Sequence, residues 1–197
     1  MIMRLATLAL ALLLPLAAGG VLPPENRVVL DIESSKENPR NSEGAFVTLK
    51  SGRILFLYSQ FYSGGADESP ARIVSISSDD AGQTWNREPR VVVENTGHQN
   101  VMSVSLLRLK SGGIALFYLI KNSLHDCQPW MQLSTDEAKS WSAPTRVGNA
   151  PGYFVLNNDR VIQLTTGRLI APVAFHRRGI LRSAEARDQH PALGQFL

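Results

Sequence analysis

The sequence holds a single cysteine, Cys127, so no disulfide can form within the chain and the core must hold through packing alone. That side chain reads as a small buried apolar group. Histidine is scarce, with four in the chain, and His98, His125 and His176 show no metal-ligand spacing, so neither a metal nor a cofactor is expected. Beyond residue 20 there is no long apolar run and no sustained 3.6-residue periodicity, which argues against both a spanning helix and a helical bundle. A block of charge of one sign is also missing. The formal net charge is +3; Arg4 accounts for one unit, and residues 177–197, with four arginines against Glu185 and Asp188, account for two. The body of the chain is therefore neutral and lacks the basic stripe of a nucleic-acid binder.

The first twenty residues stand apart. Arg4 precedes an apolar stretch from Leu5 to Leu16, and Ala17-Ala18-Gly19-Gly20 then offers small residues suited to a signal peptidase. A run of about a dozen residues falls short of the ~20 that a spanning helix needs. Residues 1–20 are therefore expected to be a signal peptide, the mature chain secreted or periplasmic, and contact with a membrane absent after cleavage. The oligomeric state is left open.

What the sequence does contain is a repeat. Gly44 to Leu55, Val104 to Ala115 and Asp159 to Ile170 each read as an apolar strand, a short polar turn with glycine, and a second apolar strand. The turn glycines are Gly52, Gly112 and Gly167; glycine takes a positive φ there without steric cost. A second motif lies between them. Ser78, Asp80, Gly82, Thr84 and Trp85 form Ser-x-Asp-x-Gly-x-Thr-Trp, and Ser134, Asp136 and Trp141 repeat it with Ala138 in place of the glycine. In such an octet the aspartate bonds the amides of its own turn and the tryptophan packs back onto the sheet. Each period thus supplies four short antiparallel strands, which is the make-up of a β-propeller blade. The expected fold is all-β, a propeller of four-stranded antiparallel blades.

Strand parity sorts the connections onto two faces. The glycine turns and the octets share one, so their residues are expected to be structural. The other face receives Arg40 and Glu43, the loop from Ser63 to Pro70 with Asp67 and Glu68, and His98 to Asn100. Residues 121–130 with Asp126, residues 157–160 with Arg160, and the segment from His176 with Arg177 follow there. Function gathers in such loops.

The octet resembles the Asp-box, or bacterial neuraminidase repeat, of sialidases. Arg-Asn-Ser-Glu-Gly-Ala-Phe at 40–46 and Asn-Asn-Asp-Arg-Val-Ile-Gln-Leu at 157–164 extend the similarity to bacterial sialidase-like proteins across residues 25–176. The resemblance implies six blades, about three of them here, with residues 21–176 as a partial propeller and 177–197 as a divergent or disordered tail. It further implies a sialidase-like exo-glycoside hydrolase acting on sialylated or related glycans. Such enzymes grip the substrate carboxylate with three arginines and use an Asp as acid/base beside a Tyr–Glu nucleophile pair. On this pattern Asp67 is the catalytic residue. Arg40, Glu43, Asn100, Asp126, Arg160 and Arg177 are the substrate-binding candidates. Arg40 lacks the usual Arg-Ile-Pro context. The nucleophile would fall in blades beyond these, so this chain alone is expected to be inactive. The rival expectations are a non-catalytic carbohydrate-binding propeller and an inert gene fragment.

Overall fold

The computed structural model describes residues 28–177, 179 and 193–196; the leader expected at 1–20 lies outside the described residues. Among these the chain forms thirteen β-strands and no helix. Strands β1 (Arg40–Thr48), β2 (Ile54–Phe61), β3 (Ala71–Ser78) and β4 (Arg90–Val93) build one antiparallel sheet in sequence order, the first blade. The second repeats it with β5 (Asn100–Arg108), β6 (Ile114–Lys121), β7 (Cys127–Ser134) and the short β8 (Thr145–Arg146).

The third period is broken. Its first strand is split into β9 (Tyr153–Val155) and β10 (Ile162–Gln163), and its second into β11 (Leu169–Ile170) and β12 (Pro172–His176). β10 pairs with β11 and β9 with β12, both antiparallel, and a single parallel bridge, Cys127 to Tyr153, ties β9 to β7. The sequence pattern led us to expect one continuous strand from Asp159. The interruption has a cause in the neighbouring blade: Asp159, at φ 55°, donates its amide to the Val104 carbonyl at 3.2 Å. The tail expected to be divergent or disordered from 177 carries, among its described residues, strand β13 (Leu193–Phe196), paired antiparallel with β12. The edge of β12 away from β9 presents a row of backbone donors and acceptors that β13 takes up, and such pairing needs no side-chain alternation.

Local hydrogen bonds account for the regularity. The amides of Leu49, Leu109 and Leu164 each reach the carbonyl four residues on at 2.8 Å, and Gly52, Gly112 and Gly167 take φ of 88°, 90° and 90°. In the first octet Asp80 accepts from the Ser78 and Thr84 hydroxyls at 2.8 and 2.6 Å and from the Thr84 amide at 2.8 Å. Asp136 does the same with Ser134 and Ser140 at 2.8, 2.6 and 2.9 Å. These bonds favour the ionised form and draw both carboxyls down to about 2. Trp85 returns its Nε1 to the Gly82 carbonyl at 3.1 Å.

The blades pack face to face. Leu57, Ile73 and Val93 of the first meet Leu106, Leu116 and Tyr118 of the second, all buried. Phe117 and Leu119 of the second meet Phe154, Ala171 and Val173 of the third. At the turn end, Glu137 clamps the first seam: it accepts from Arg108 at 2.6 and 2.8 Å and from the Lys50 amide at 2.8 Å. At the second seam Gln163 accepts from the Lys110 amide, also at 2.8 Å.

Candidate functional site

The opposite ends of the strands carry the ionisable groups. Arg40 opens β1 directly across from Phe61, the last residue of β2, and the loop 62–70 leaves the sheet at that same point. The geometry therefore brings Arg40 and the loop's Asp67 together: Nη1 stands 2.5 Å from Oδ1. The guanidinium lies over the Phe61 ring, 4.4 Å from its centroid, and its Nε donates to Ser42 Oγ at 3.1 Å. A cation held on an aromatic face and forked by neighbouring acceptors keeps one orientation.

Glu43 joins this pair through a bulge. Register slips between Ser42 and Ala45, and Glu43 takes φ 57°, which turns its side chain to within 3.9 Å of Arg40. Burial raises the Glu43 carboxyl above its ordinary range, while Arg40 and bonds with Ser103 oppose that. Its Oε2 is buried without a hydrogen-bond partner. The second blade repeats the bulge between Met102 and Ser105, with Ser103 at φ 61°. The two bulges meet across the seam, and bulges of this kind re-aim side chains beside sites.

The second blade also fixes the loop. Asn100, fully buried, donates Nδ2 to the carbonyls of Asp67 and Ser69 at 2.8 and 2.9 Å. Lys121, the last residue of β6 and only 1% exposed, donates Nζ to the same Asp67 carbonyl at 3.1 Å. Its ammonium sits 5.8 Å from the Tyr153 ring centroid. Burial pushes the nearby Cys127 thiol up to about 12 and the Tyr153 hydroxyl upward as well. Both are neutral at physiological pH and serve as packing.

Lys121 and Tyr153 were not among the expected site residues. The available signal was a lysine closing an otherwise apolar strand, Ile-Ala-Leu-Phe-Tyr-Leu-Ile-Lys, at the position where the first blade has Phe61. The remaining expected residues lie apart from the pair. Asp126 accepts from Asn122 Nδ2 at 2.8 Å within its own tight turn, and Arg160 and Arg177 are exposed on the third blade. A depression of about 650 Å³ flanks Arg40 on its other side, lined by Asp31, Glu33, Ser34 and Asn41. Two carboxylates make it a poor receptor for an anion. Among the described residues no three His, Cys, Asp or Glu side chains are grouped to hold a metal.

Two repeated Asp hairpins, stacked four-stranded sheets and a polar loop face define a class of repeat protein, and comparison with known families agrees. The chain belongs to the BNR repeat-like domain family, whose model matches residues 60–192. No curated protein matches the sequence. Among solved structures it is similar to a protein of unknown function from Dyadobacter fermentans, at 19% identity and TM-score 0.62 over 73% of this chain and 49% of that one. It is also similar to the Hadza microbial sialidase Hz136, at 17% identity and TM-score 0.58 over 71% of this chain and 33% of that one. A Trypanosoma rangeli sialidase solved in complex with sialic acid matches at 18% identity and TM-score 0.55, over 73% of this chain and 27% of that one. The chain thus spans half or less of the length of these structures, and the likeness is one of fold.

Proposed function

We propose that this chain supplies three blades of a six-bladed, sialidase-like propeller that acts on sialylated or related glycans outside the cytoplasm. The observation that carries the reading is the Arg40–Asp67 pair at 2.5 Å, set on the loop end of the first blade and held there by Asn100 and Lys121 of the second. A guanidinium fork suits the carboxylate of a sialic acid, and in this reading the aspartate one loop away would exchange a proton with a glycosidic oxygen. In the free protein Arg40 is engaged with Asp67, so an entering carboxylate must share or displace that contact. Glu43 lies on the same rim, and Asn100, buried beneath the loop, acts in this reading through the Asp67 and Ser69 carbonyls that it holds. Arg160 and Arg177 are the remaining cationic groups for the glycan in this reading.

A Tyr–Glu nucleophile pair and further arginines belong to other blades of such a propeller. Residues 1–197 are therefore expected to bind sialic acid weakly and to hydrolyse no sialoside. NMR titration with N-acetylneuraminic acid tests this: shifts should map to Arg40 and the 63–70 loop. Arg40→Lys should weaken them, since a point charge cannot reproduce the fork. In a propeller with the further blades present, Asp67→Asn should cut turnover by ~10²–10⁴. Binding that persists while Asp67→Asn leaves turnover unchanged would assign the chain to carbohydrate binding without catalysis. No binding at all would end the glycan reading.

A further inference from the structure

Arg40 carries one positive charge, and two carboxylates of the chain already draw on it. Asp67 Oδ1 stands 2.5 Å from Nη1, and Glu43 Oε1 stands 3.9 Å from Nη2. The two acids differ in freedom. The Asp67 side chain is 64% exposed on its loop and can turn into water while still ionised. Glu43 has no such exit: its Oε2 is buried without a partner, and the left-handed bulge at φ 57° fixes the backbone that carries it. Gly44 fastens the bulge, since a Cβ there would run into the Phe56 ring and the Leu57 carbonyl.

The groups packed around Glu43 give its carboxylate little relief. β1 supplies Arg40, the loop 62–70 supplies the like charge of Asp67, and β5 supplies the uncharged Ser103. From β7 comes the Cys127 thiol, and from β9 the Tyr153 hydroxyl, both neutral at physiological pH. The Lys121 ammonium of β6, across the strand pair from Cys127, is turned to the Asp67 carbonyl at 3.1 Å. Asp126 and Glu68 add negative charge further out, beside Cys127 and Tyr153. A ligand carboxylate on the Arg40 fork would thus be a third anion on one guanidinium, next to a buried carboxylate that cannot withdraw.

We propose that a proton balances the ligand: when a carboxylate binds Arg40, Glu43 takes one proton from solvent and becomes neutral, so the site receives an acidic sugar with no net change in charge. The proposal rests on the reading of Arg40 as a carboxylate fork and gives Glu43 its part in it. No bond of the ligand changes; it stays ionised, and the proton leaves when it leaves. Linkage sets the sign. Binding raises the proton affinity of Glu43, so protons tighten binding by the same factor. Affinity therefore rises as pH falls through a window above the ordinary carboxylate range, because burial raises Glu43 even before the ligand arrives.

NMR titration of the 197-residue chain from about pH 8 to pH 5, at fixed ionic strength, tests this with two probes, N-acetylneuraminic acid and formate. The parent's affinity should rise about tenfold over that range. Glu43→Gln is neutral at every pH; it should bind about tenfold tighter than the parent at pH 8 and show no such rise. Other titrating groups act on parent and variant alike, so the difference between them isolates Glu43. Two measurements need no variant. Calorimetry in two buffers of unlike ionisation heat counts the proton taken up, and the Glu43 carboxyl carbon should titrate at higher pH with formate bound. Weaker binding by Glu43→Gln at every pH would reduce Glu43 to a support for Arg40 and overturn the inference. So would an affinity of the parent that is flat with pH, or a rise that Asp67→Asn abolishes and Glu43→Gln keeps. Formate bound with proton uptake, while N-acetylneuraminic acid does not bind, supports this inference and counts against the functional reading alone. N-acetylneuraminic acid bound without proton uptake does the reverse. Binding of neither probe at Arg40 ends both.

Discussion

Replacing Asn100 by alanine isolates the contact through which one blade shapes a loop of another. Its Nδ2 makes two bonds across the seam, to Asp67 and Ser69 carbonyls, and its Oδ1 is buried without a partner. Two neutral hydrogen bonds are worth about 1 kcal/mol each. The Asp67 carbonyl keeps its bond from Lys121 at 3.1 Å, whereas the half-buried Ser69 carbonyl is left alone, at a further cost of up to about 1 kcal/mol. Removing the unpartnered Oδ1 offsets about as much. The net loss is about 2 kcal/mol, which in a domain of this size lowers the Tm by roughly 4–8 °C. A circular dichroism melt reads that shift, and hydrogen exchange locates it. The amides of Tyr62 and Ser69, bonded to the Pro70 and Ala66 carbonyls at 2.9 Å, should exchange about thirtyfold faster, while those of the glycine turns stay protected. A Tm within 1 °C or so of the parent, with unchanged exchange at Tyr62 and Ser69, would refute the claim that Asn100 holds the loop.

Three further expectations follow from the geometry. Ala138 sits at φ 62° where the first octet has Gly82 at φ 86°, so Ala138→Gly should leave the melting temperature unchanged or raise it slightly; a loss of several degrees would contradict the strain. Asp80 and Asp136 have folded pKa values of about 2, below the ordinary carboxylate range. The stability they contribute is therefore present above pH ~4 and lost as pH falls toward 2, and Asp80→Asn should flatten that part of a melting-temperature profile. Glu43 has the opposite sign: its pKa is raised by burial, so its protonation favours the folded state and its contribution grows as pH falls. Glu43→Gln should accordingly raise the melting temperature at pH 7 by more than at pH 4, and an equal gain at both would exclude a buried carboxylate cost.

The parts of this architecture that were legible in the sequence are those closed by short-range bonds. The three glycine turns and the two octets carry their own acceptors and donors within eight residues, so Gly52 or Asp80 announces its role without any neighbour. Arg40 and Asp67 could be assigned to one face by strand parity, but their distance depends on the bulge at Ser42–Ala45 and on Asn100, 33 positions beyond Asp67. Asp126 falls on the same loop face as Asp67 by strand parity, but parity does not fix its reach. Its turn is shorter, closed by Asn122 N to the Asp126 carbonyl at 2.9 Å, and the carboxylate stays within it. Lys121 stood at the start of a segment assigned to the loop face but had no role of its own, because lysine reads as exposed and only the partners across the seam explain its burial. The split of the third blade was equally hidden, since Asp159 answers to a carbonyl of another blade.

One feature of the seams bears on how such a chain changes over time. At both, the atom addressed is a main-chain amide in the glycine turn, Lys50 at one and Lys110 at the other, although the acceptor is Glu137 on an Asp hairpin in the first case and Gln163 on a strand in the second. The Lys50 ammonium adds only an exposed 3.7 Å contact, a small term. Any residue except proline offers the same amide, so the side chains at these two turn positions are free to drift while the blades stay registered. Variation is thereby permitted on the outer surface of each turn and penalised at the acceptor that reaches it.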